Sequence, residues 1–378
     1  MHRFTLAVIL TCLAGWHHSG AAAEAAADPE AARIIAELGL RAADKPIAEH
    51  PRWRPRRIVV SLPESLSARL PGLEQQLKET AGEVELHFDR SEDFILSAEV
   101  MAGTDAVIGM CSAATMANAS ADLLWLHNYY VGIERCLNLP EEQVAERVFT
   151  NSKRLSGPAI AEHSMAMLLS LARGLPAYIR ADEWDRSPAA SVTFGELKGK
   201  TLLVAGLGGI GSQVAWRAHG LGMRVTAIRS SSRTGPDYVD YVGLSDELHA
   251  LAGKADVVVN TLPLTDKTRG KFDKAFFEAI KPGAIFISVG RGKSTVTADL
   301  VAALESGKLY GAGLDVTDPE PLPADSPLWQ MPNVIISPHV SAAGRGSTQR
   351  VAVIANENLR RYIAGEPLLN VVDIRAGY

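Results

Sequence analysis

A glycine-rich turn between a strand and a helix constrains the fold of this chain most. Residues 201–205 are an apolar run typical of a buried strand, and residues 212–221 follow with helical spacing. Between them, three glycines have Gly-x-Gly-x-x-Gly spacing. The first permits a tight turn, the second lets backbone approach a pyrophosphate, and the third lets helix and strand pack closely. The turn therefore predicts a dinucleotide site at a helix N-terminus, formed by Gly206, Gly208, Gly209, Ile210 and Gly211.

Apolar strands alternate with helices on both sides of this turn, a pattern that indicates parallel sheets. Strands are predicted at 58–62, 83–88, 106–110, 123–127, 201–205, 224–228, 257–261, 284–288, 310–314 and 334–337. Helices are predicted at 66–81 with a break at Pro71, from Gly132 onwards, at 158–174 and at 349–364. We predict an α/β fold with two doubly wound parallel-sheet domains, one Rossmann-like and one flavodoxin-like, with a cleft between them and long helices as hinges.

The N-terminus has the composition of an export signal. Met1–Arg3 gives a positively charged start, residues 4–14 are apolar but too short to span a bilayer, and Ala21 and Ala23 suit signal peptidase. We expect export to the periplasm. A start codon placed too early, or a disordered tail, would instead leave the protein in the cytoplasm.

These features divide the chain into four parts. The predicted boundaries are a signal peptide at 1–23, a leader or linker at 24–55 with a short helix at 29–39, a substrate domain at 56–150 plus 340–378, and a cofactor domain at 155–335.

Composition excludes several classes of partner. The chain has 378 residues, a net charge of -5 and no basic stripe, which argues against nucleic-acid binding. We expect no membrane association of the mature chain. We also expect no metal site, because Cys and His lack zinc-type spacing. Cleavage of the signal would leave Cys111 and Cys136. They could pair in an oxidising compartment, but two buried free thiols are the simpler expectation.

The strand after the glycine turn favours NADP over NAD. An NAD site usually has an acidic residue about 20 residues on, which binds the ribose hydroxyls and repels a 2′-phosphate. Here no acid occurs before Asp237, and Arg229, Ser230 and Arg233 take that place. Guanidinium groups attract a phosphate, so NADP(H) is expected, with NAD use and merely solvated arginines as the alternative.

Three later strands end in residues suited to chemistry. Arg291, Glu320 and His339 follow strands that end near 288, 314 and 337. Ligands of doubly wound sheets bind at the carboxyl ends of strands, so these side chains are expected to converge where a nicotinamide would lie.

With these motifs in this order, the sequence resembles the D-isomer-specific 2-hydroxyacid dehydrogenases from about residue 58 to residue 372. The Asn-Tyr-Tyr-Val-Gly-Ile stretch at 128–133, Ala-Glu-His at 161–163 and Leu-Pro-Leu-Thr at 262–265 also match. The resemblance implies hydride transfer between NAD(P)H and a small 2-oxo or D-2-hydroxy acid, and a homodimer. A non-enzymatic dinucleotide sensor of the same fold is the alternative. Glu320 disfavours a third possibility, the formate dehydrogenase branch, which has Gln there.

The resemblance also implies a role for each site residue. Arg291 would hold the substrate, and His339 would act as general acid and base, with Glu320 favouring its protonated form. The remaining roles implied are cofactor contacts from Thr261, Pro263 and Asp315, the last to the nicotinamide carboxamide, and substrate-carboxylate contacts from the backbone of Val131 and Gly132.

Several positions depart from the family pattern. They are Ser288 where Asn is common, Lys293-Ser294-Thr295 after the arginine, and Ser341-Ala342 after the histidine. We expect these changes at the rim of the site, where they would alter the substrate rather than the chemistry. Export also raises a difficulty, because free NADPH has no obvious supply outside the cytoplasm.

Overall fold

The computed structural model describes residues 28–136 and 139–374, so the predicted signal peptide lies outside the described residues. The first of its two sheets has five parallel strands, in the order β2-β1-β3-β4-β5. These strands are β1 Arg57–Ser61, β2 Glu85–Asp89, β3 Ala106–Gly109, β4 Trp125–Asn128 and β5 Val148–Asn151. This is the strand order of flavodoxin-like domains.

The second sheet has seven parallel strands, in the order β12-β11-β10-β9-β6-β7-β8. They are β6 Thr201–Ala205, β7 Arg224–Arg229, β8 Tyr241–Leu244, β9 Val257–Asn260, β10 Ala284–Ser288, β11 Leu309–Leu314 and β12 Val334–Ile336. The order reverses between β6 and β9, which is the Rossmann switch point. The predicted fold of two doubly wound parallel sheets is confirmed.

Thirteen α-helices within the described residues connect and cover the sheets. They are α1 Pro29–Leu38, α2 Glu64–Ser67, α3 Leu73–Ala81, α4 Ala98–Met101, α5 Ala113–Ala117, α6 Glu141–Val144, α7 Gly157–Ala172, α8 Leu175–Ile179, α9 Gly209–Gly220, α10 Leu248–Ala252, α11 Lys274–Ala279, α12 Thr297–Glu305 and α13 Arg345–Ala364. Helices α7 and α9 cover one face of the seven-stranded sheet, and α10 to α12 the other. Helices α3 and α13 cover one face of the five-stranded sheet.

Some local elements differ from those predicted. No α-helix begins at Gly132; a single 3-10 turn, Glu134–Cys136, is followed by α6. Strands β5 and β8 were not predicted. Each is only four residues long and carries polar or glycine positions, which weaken the signal of a buried strand.

The described part of the predicted leader packs against the C-terminal helix α13, and its predicted short helix is confirmed as α1. In α1, Ala31, Ile34 and Leu38 are buried against a cluster that includes Ile354 of α13. Further along, the indole Nε1 of Trp53 donates to the carbonyl oxygen of Tyr362 at 2.8 Å. The segment therefore contributes to the core that the C-terminal helix completes.

Cys111 and Cys136 form a disulfide, so the simpler expectation of two free thiols is wrong. Cys111 follows β3, and Cys136 ends the 3-10 turn, with 6.0 Å between their Cα atoms.

Among the described helices, none has the length and apolar character needed to cross a bilayer.

Candidate active site

The glycine turn has the geometry that a dinucleotide site needs. Gly206 has φ 104°, and its carbonyl oxygen accepts a hydrogen bond from Thr261 Oγ1 at 2.7 Å. A Cβ on Gly211 would lie 2.1 Å from that same carbonyl, so only glycine lets α9 pack this closely on β6. A Cβ on Gly208 would project into open space, which leaves the backbone accessible to a pyrophosphate.

The neighbouring residues of the turn have supporting roles. A Cβ on Gly209 would lie 2.7 Å from Arg154 Cγ, so this glycine makes room for a side chain from the hinge before α7. Ile210 is partly buried and packs on the core between β6 and α9, so its backbone is the part left to face a ligand. Pro263 is exposed, and its carbonyl oxygen accepts from Thr268 Oγ1 at 2.6 Å.

The three residues predicted to select NADP do not all come together. Arg229, at the end of β7, donates to the carbonyl oxygen of Thr234 at 2.8 Å and lines a cavity beside the glycine turn. Arg233 is held elsewhere, with its Nη1 2.7 Å from Glu247 Oε1 and 2.9 Å from Tyr241 Oη. Ser230 is exposed between them. The geometry supports Arg229 as the phosphate ligand and gives Arg233 an ion pair instead.

Arg291 lies in a turn that its neighbouring glycines make possible. A Cβ on Gly290 would lie 2.6 Å from the carbonyl oxygen of Leu262, and one on Gly292 only 1.7 Å from that of Thr317. The Gly-Arg-Gly segment is therefore wedged between the loops after β9 and β11. Arg291 itself is half-buried at the carboxyl edge of the sheet, where its Nη1 bonds the carbonyl oxygen of Gly290 at 2.9 Å.

Two departures from the family pattern, Ser288 and Ser294, are buried internal supports, so the expectation of a rim location was wrong for these two serines. Asn260 Nδ2 donates to Ser288 Oγ at 3.0 Å and to Ser294 Oγ at 2.8 Å, and all three side chains are buried. Ser294 Oγ in turn donates to the carbonyl oxygen of Arg291 at 2.6 Å. The two serines fix the arginine turn through Asn260, while Lys293 is exposed.

His339 and Glu320 are paired at the open side of the site. His339 Nδ1 lies 3.2 Å from Glu320 Oε2, and both side chains are accessible, at 49% and 41% exposure. His339 has φ 53°, a conformation that non-glycine residues adopt rarely and mostly at functional sites. Glu320 is oriented by the backbone N–H of Thr317 at 3.2 Å, so the pair predicted from the sequence is assembled.

A buried carboxylate holds the loop that carries His339. Asp315 Oδ1 accepts from Ser337 Oγ at 2.7 Å and from the backbone N–H of Val340 at 2.9 Å, and Ser341 N–H bonds both carboxylate oxygens. Burial acts to raise the pKa of Asp315, but the hydrogen bonds from Ser341 and Ser337 outweigh it and hold that pKa below its ordinary value. An ionised Asp315 thus fixes the conformation around the histidine.

His163 on α7 extends this network, a role that the sequence did not reveal. Its Nε2 lies 2.8 Å from Ser337 Oγ. Because that hydroxyl donates its proton to Asp315, it accepts from His163. The Ala-Glu-His match at 161–163 was the available signal, but it did not indicate which loop the ring would contact.

Two amide side chains hold the backbone of the predicted substrate loop at residues 130–132. Asn128 Nδ2 donates to the carbonyl oxygens of Tyr130 and Gly132, both at 2.9 Å. Asn151 Nδ2 donates to that of Val131 at 2.7 Å. With these carbonyls engaged, the backbone N–H groups of the loop are the groups left to bind an anion.

The two tyrosines of this loop have opposite environments. Tyr129 is buried in the core beside α13, where burial raises the pKa of its phenol, whereas Tyr130 is 52% exposed. Tyr129 therefore belongs to the core rather than to a substrate pocket.

Comparison with known proteins identifies the family. Residues 165–341 match the model of the D-isomer specific 2-hydroxyacid dehydrogenase NAD binding domain. A solved D-isomer specific 2-hydroxyacid dehydrogenase family protein from Aeromonas salmonicida is 32% identical, with a TM-score of 0.71, over 85% of this chain and all of that one. This chain belongs to the D-isomer-specific 2-hydroxyacid dehydrogenase family.

Two further relatives of the dehydrogenase carry more specific names. Glyoxylate/hydroxypyruvate reductase B of an Enterobacter species is 36% identical over 218 residues, which are 57% of this chain and 67% of that protein. An NADPH-dependent glyoxylate/hydroxypyruvate reductase of Sinorhizobium meliloti, solved with NADP and sulfate, is 28% identical with a TM-score of 0.69, over 85% of this chain and all of that one. NAD(P)-dependent 2-hydroxyacid dehydrogenase activity is therefore supported for this chain.

Among its described residues, no group of three or more His, Cys, Asp or Glu could hold a metal.

Proposed function

We propose that this dehydrogenase reduces a small 2-oxo acid to the D-2-hydroxy acid with NADPH, and catalyses the reverse reaction. The observation that carries the proposal is the His339–Glu320 pair, 3.2 Å apart, at the strand ends where the Arg291 turn and the glycine turn also lie. Bound NADPH would supply the hydride.

Arg291 would hold the substrate. Its guanidinium presents donors in a planar fork that matches a carboxylate and an adjacent carbonyl oxygen. The backbone N–H groups of Val131 and Gly132 would bind the substrate carboxylate from the opposite domain. This division places the reacting carbon in the cleft and gives both domains a share of the binding.

His339 would then protonate the carbonyl oxygen as the carbon accepts hydride, and would remove that proton in the reverse reaction. Glu320 would orient the imidazole through Nδ1, which would leave Nε2 for the substrate. Asp315 holds the backbone of this loop, and we propose that it lies next to the nicotinamide carboxamide. Removal of the Glu320 or the Asp315 carboxylate should impair the positioning of His339 but leave this general acid present.

The preference for NADP(H) is supported by Arg229 beside the glycine turn and by the lack of an acidic residue at the end of β7. The test is kcat/KM for NADPH and NADH with glyoxylate, hydroxypyruvate and pyruvate, with chiral analysis of the product. Faster turnover with NADPH and a D product are expected. Clear NADH preference would contradict the cofactor assignment, and nucleotide binding without turnover of any 2-oxo acid would favour the sensor alternative.

We also propose a homodimer formed through the cofactor domain. Support comes from large apolar side chains that α7, α8 and the following loop expose, namely Leu169, Leu175, Ile179 and Trp184. Light scattering should give a mass of two chains for the wild type. Ile179→Glu should reduce this mass to that of one chain.

Export to the periplasm remains our proposal, supported by the Cys111–Cys136 disulfide, because such bonds persist mainly in oxidising compartments. N-terminal sequencing of protein from the periplasmic fraction is expected to begin near residue 24. An intact Met1 on cytoplasmic protein would contradict export.

A further inference from the structure

A cavity of about 420 Å³ lies between the N-terminal segment and the cofactor domain. One wall is the glycine turn and the first turns of α9, and a second is the loop after β7 from Arg229 to Tyr238. The third wall is formed by residues 36–41, at the end of α1 and immediately beyond it. In a Rossmann domain this corner, beside the end of the second strand, is where the adenosine ribose lies.

Three arginines from three separate segments line this cavity: Arg41 after α1, Arg154 in the hinge before α7, and Arg229 at the end of β7. Arg154 is held in place by its Nη1, which donates to the carbonyl oxygen of Leu38 at 3.0 Å. Burial lowers the pKa of Arg154, and the positive charges of Arg41 and Arg229 lower it further. Arg41 and Arg229 thus each lie close enough to Arg154 for their charges to act on it.

Carboxylates do not compensate this charge. Within residues 28–136 and 139–374, none of the three arginines forms an ion pair with an acidic side chain. The lining residues include one carboxylate, Glu37, which is paired with Arg33 at 2.9 Å. A cavity lined by three guanidinium groups, with its one carboxylate already paired, is electrostatically suited to a multiply charged anion.

We propose that the N-terminal segment completes the adenosine end of the cofactor site, where Arg41 and Arg154 bind the 2′-phosphate of NADP together with Arg229. The inference rests on the proposed use of NADP. It gives the segment before the first strand a role in cofactor choice, and it moves the second phosphate contact from Arg233, which Glu247 holds, to residues outside the β7 loop.

The proposal is tested by titrating the full mature chain with NADPH and NADH and following nucleotide fluorescence. Arg41→Ala suits the test, because the side chain is exposed and its fold contact, the backbone carbonyl bonded by Asn370 N–H, is retained. We expect Arg41→Ala to weaken NADPH binding about tenfold, as for loss of a charge-assisted bond, and NADH binding by less than about twofold. Arg224→Ala is the matched control, since Arg224 is exposed at the opposite end of the same strand as Arg229.

Adenosine 2′,5′-diphosphate and adenosine 5′-monophosphate test this end of the site without the nicotinamide. Arg41→Ala should weaken binding of the diphosphate but not of the monophosphate. Inorganic phosphate should compete poorly with the diphosphate. If phosphate alone binds as tightly as the diphosphate, the cavity is a general anion site and the inference is overturned.

Failure of the inference and failure of the proposed cofactor are distinguishable. If the wild-type chain binds NADPH and NADH equally, the preference for NADP fails and the inference fails with it. If the wild type prefers NADPH, Arg229→Ala removes that preference and Arg41→Ala leaves it intact, then NADP use stands and the role of the N-terminal segment is overturned.

Discussion

The nicotinamide and adenosine ends of the proposed cofactor site are built on different physical principles. At the nicotinamide end, the fully buried Asp315 is surrounded by hydrogen-bond donors that fix the loop of His339. At the adenosine end, arginines from three segments line an open cavity with no carboxylate paired to them within the described residues. One end fixes the geometry of the His339 loop through hydrogen bonds, and the other concentrates positive charge.

The two ends should therefore tolerate different substitutions. A buried carboxylate that loses a donor leaves unsatisfied charge in a medium of low dielectric, so substitutions near Asp315 should affect stability as well as turnover. The exposed Arg41 guanidinium would lose only part of a screened attraction, so its substitution should affect one ligand and leave the fold unchanged. Substitutions, pH and salt can each test this contrast.

The largest effect is expected for His339→Gln, which removes the proton donor but not its loop. Turnover of the 2-oxo acid should fall by about a hundredfold or more, the range for loss of a general acid. NADPH affinity, measured by fluorescence titration, should be retained because the adenosine end is untouched. His249→Gln, an exposed histidine on α10, is the control. Normal turnover in His339→Gln would refute the mechanism.

Asp315→Asn should reduce stability and turnover together. An amide cannot accept the hydrogen bonds of Ser337, Val340 and Ser341 as a carboxylate does, so we expect a loss of about 2–4 kcal/mol in the free energy of unfolding. Denaturant titration measures the loss, with the exposed Asp237→Asn as control.

The same variant should respond differently to pH. The folded pKa of Asp315 lies below its ordinary value of 3.8, so its contribution is complete well above that pH and lost as pH falls through the folded value. The stability difference between wild type and Asp315→Asn should therefore shrink in acid. A difference that grows on acidification would contradict an ionised Asp315.

Ser337→Ala is expected to have a smaller effect of the same kind. The substitution removes the hydroxyl that links His163 to Asp315, but leaves the backbone donors of that carboxylate in place. We expect a loss of about 1 kcal/mol in unfolding free energy and a several-fold decrease in kcat. Ser337→Thr, which retains the hydroxyl, should recover most of both, and failure of both variants alike would point to steric effects instead.

The smallest effect is expected from ionic strength at the adenosine end. Raising it from about 0.05 M to about 0.5 M should weaken NADPH binding several-fold, because the arginines are partly solvated and their attraction is screened. NADH binding should change less. Equal salt dependence for the two nucleotides would mean that the cavity does not contact the 2′-phosphate.

Residues next to strand ends were the most predictable part of the molecule. Gly206, Arg291, Glu320 and His339 follow apolar strands, and the topology of a parallel sheet brings such positions to one edge. The short strands β5 and β8 were missed, and the start of α6 was misplaced, because four-residue elements have too little periodicity to be recognised.

Local order along the chain was enough to predict the two parallel sheets, the family and the positions of the candidate reacting groups. The partners of those groups depend on the tertiary structure. Arg233 joins Glu247, His163 contacts Ser337, Cys111 bonds Cys136, and the N-terminal segment places Arg41 in the cavity that Arg229 also lines. These contacts join residues on different elements, so their pairing depends on how the elements pack and not on local periodicity.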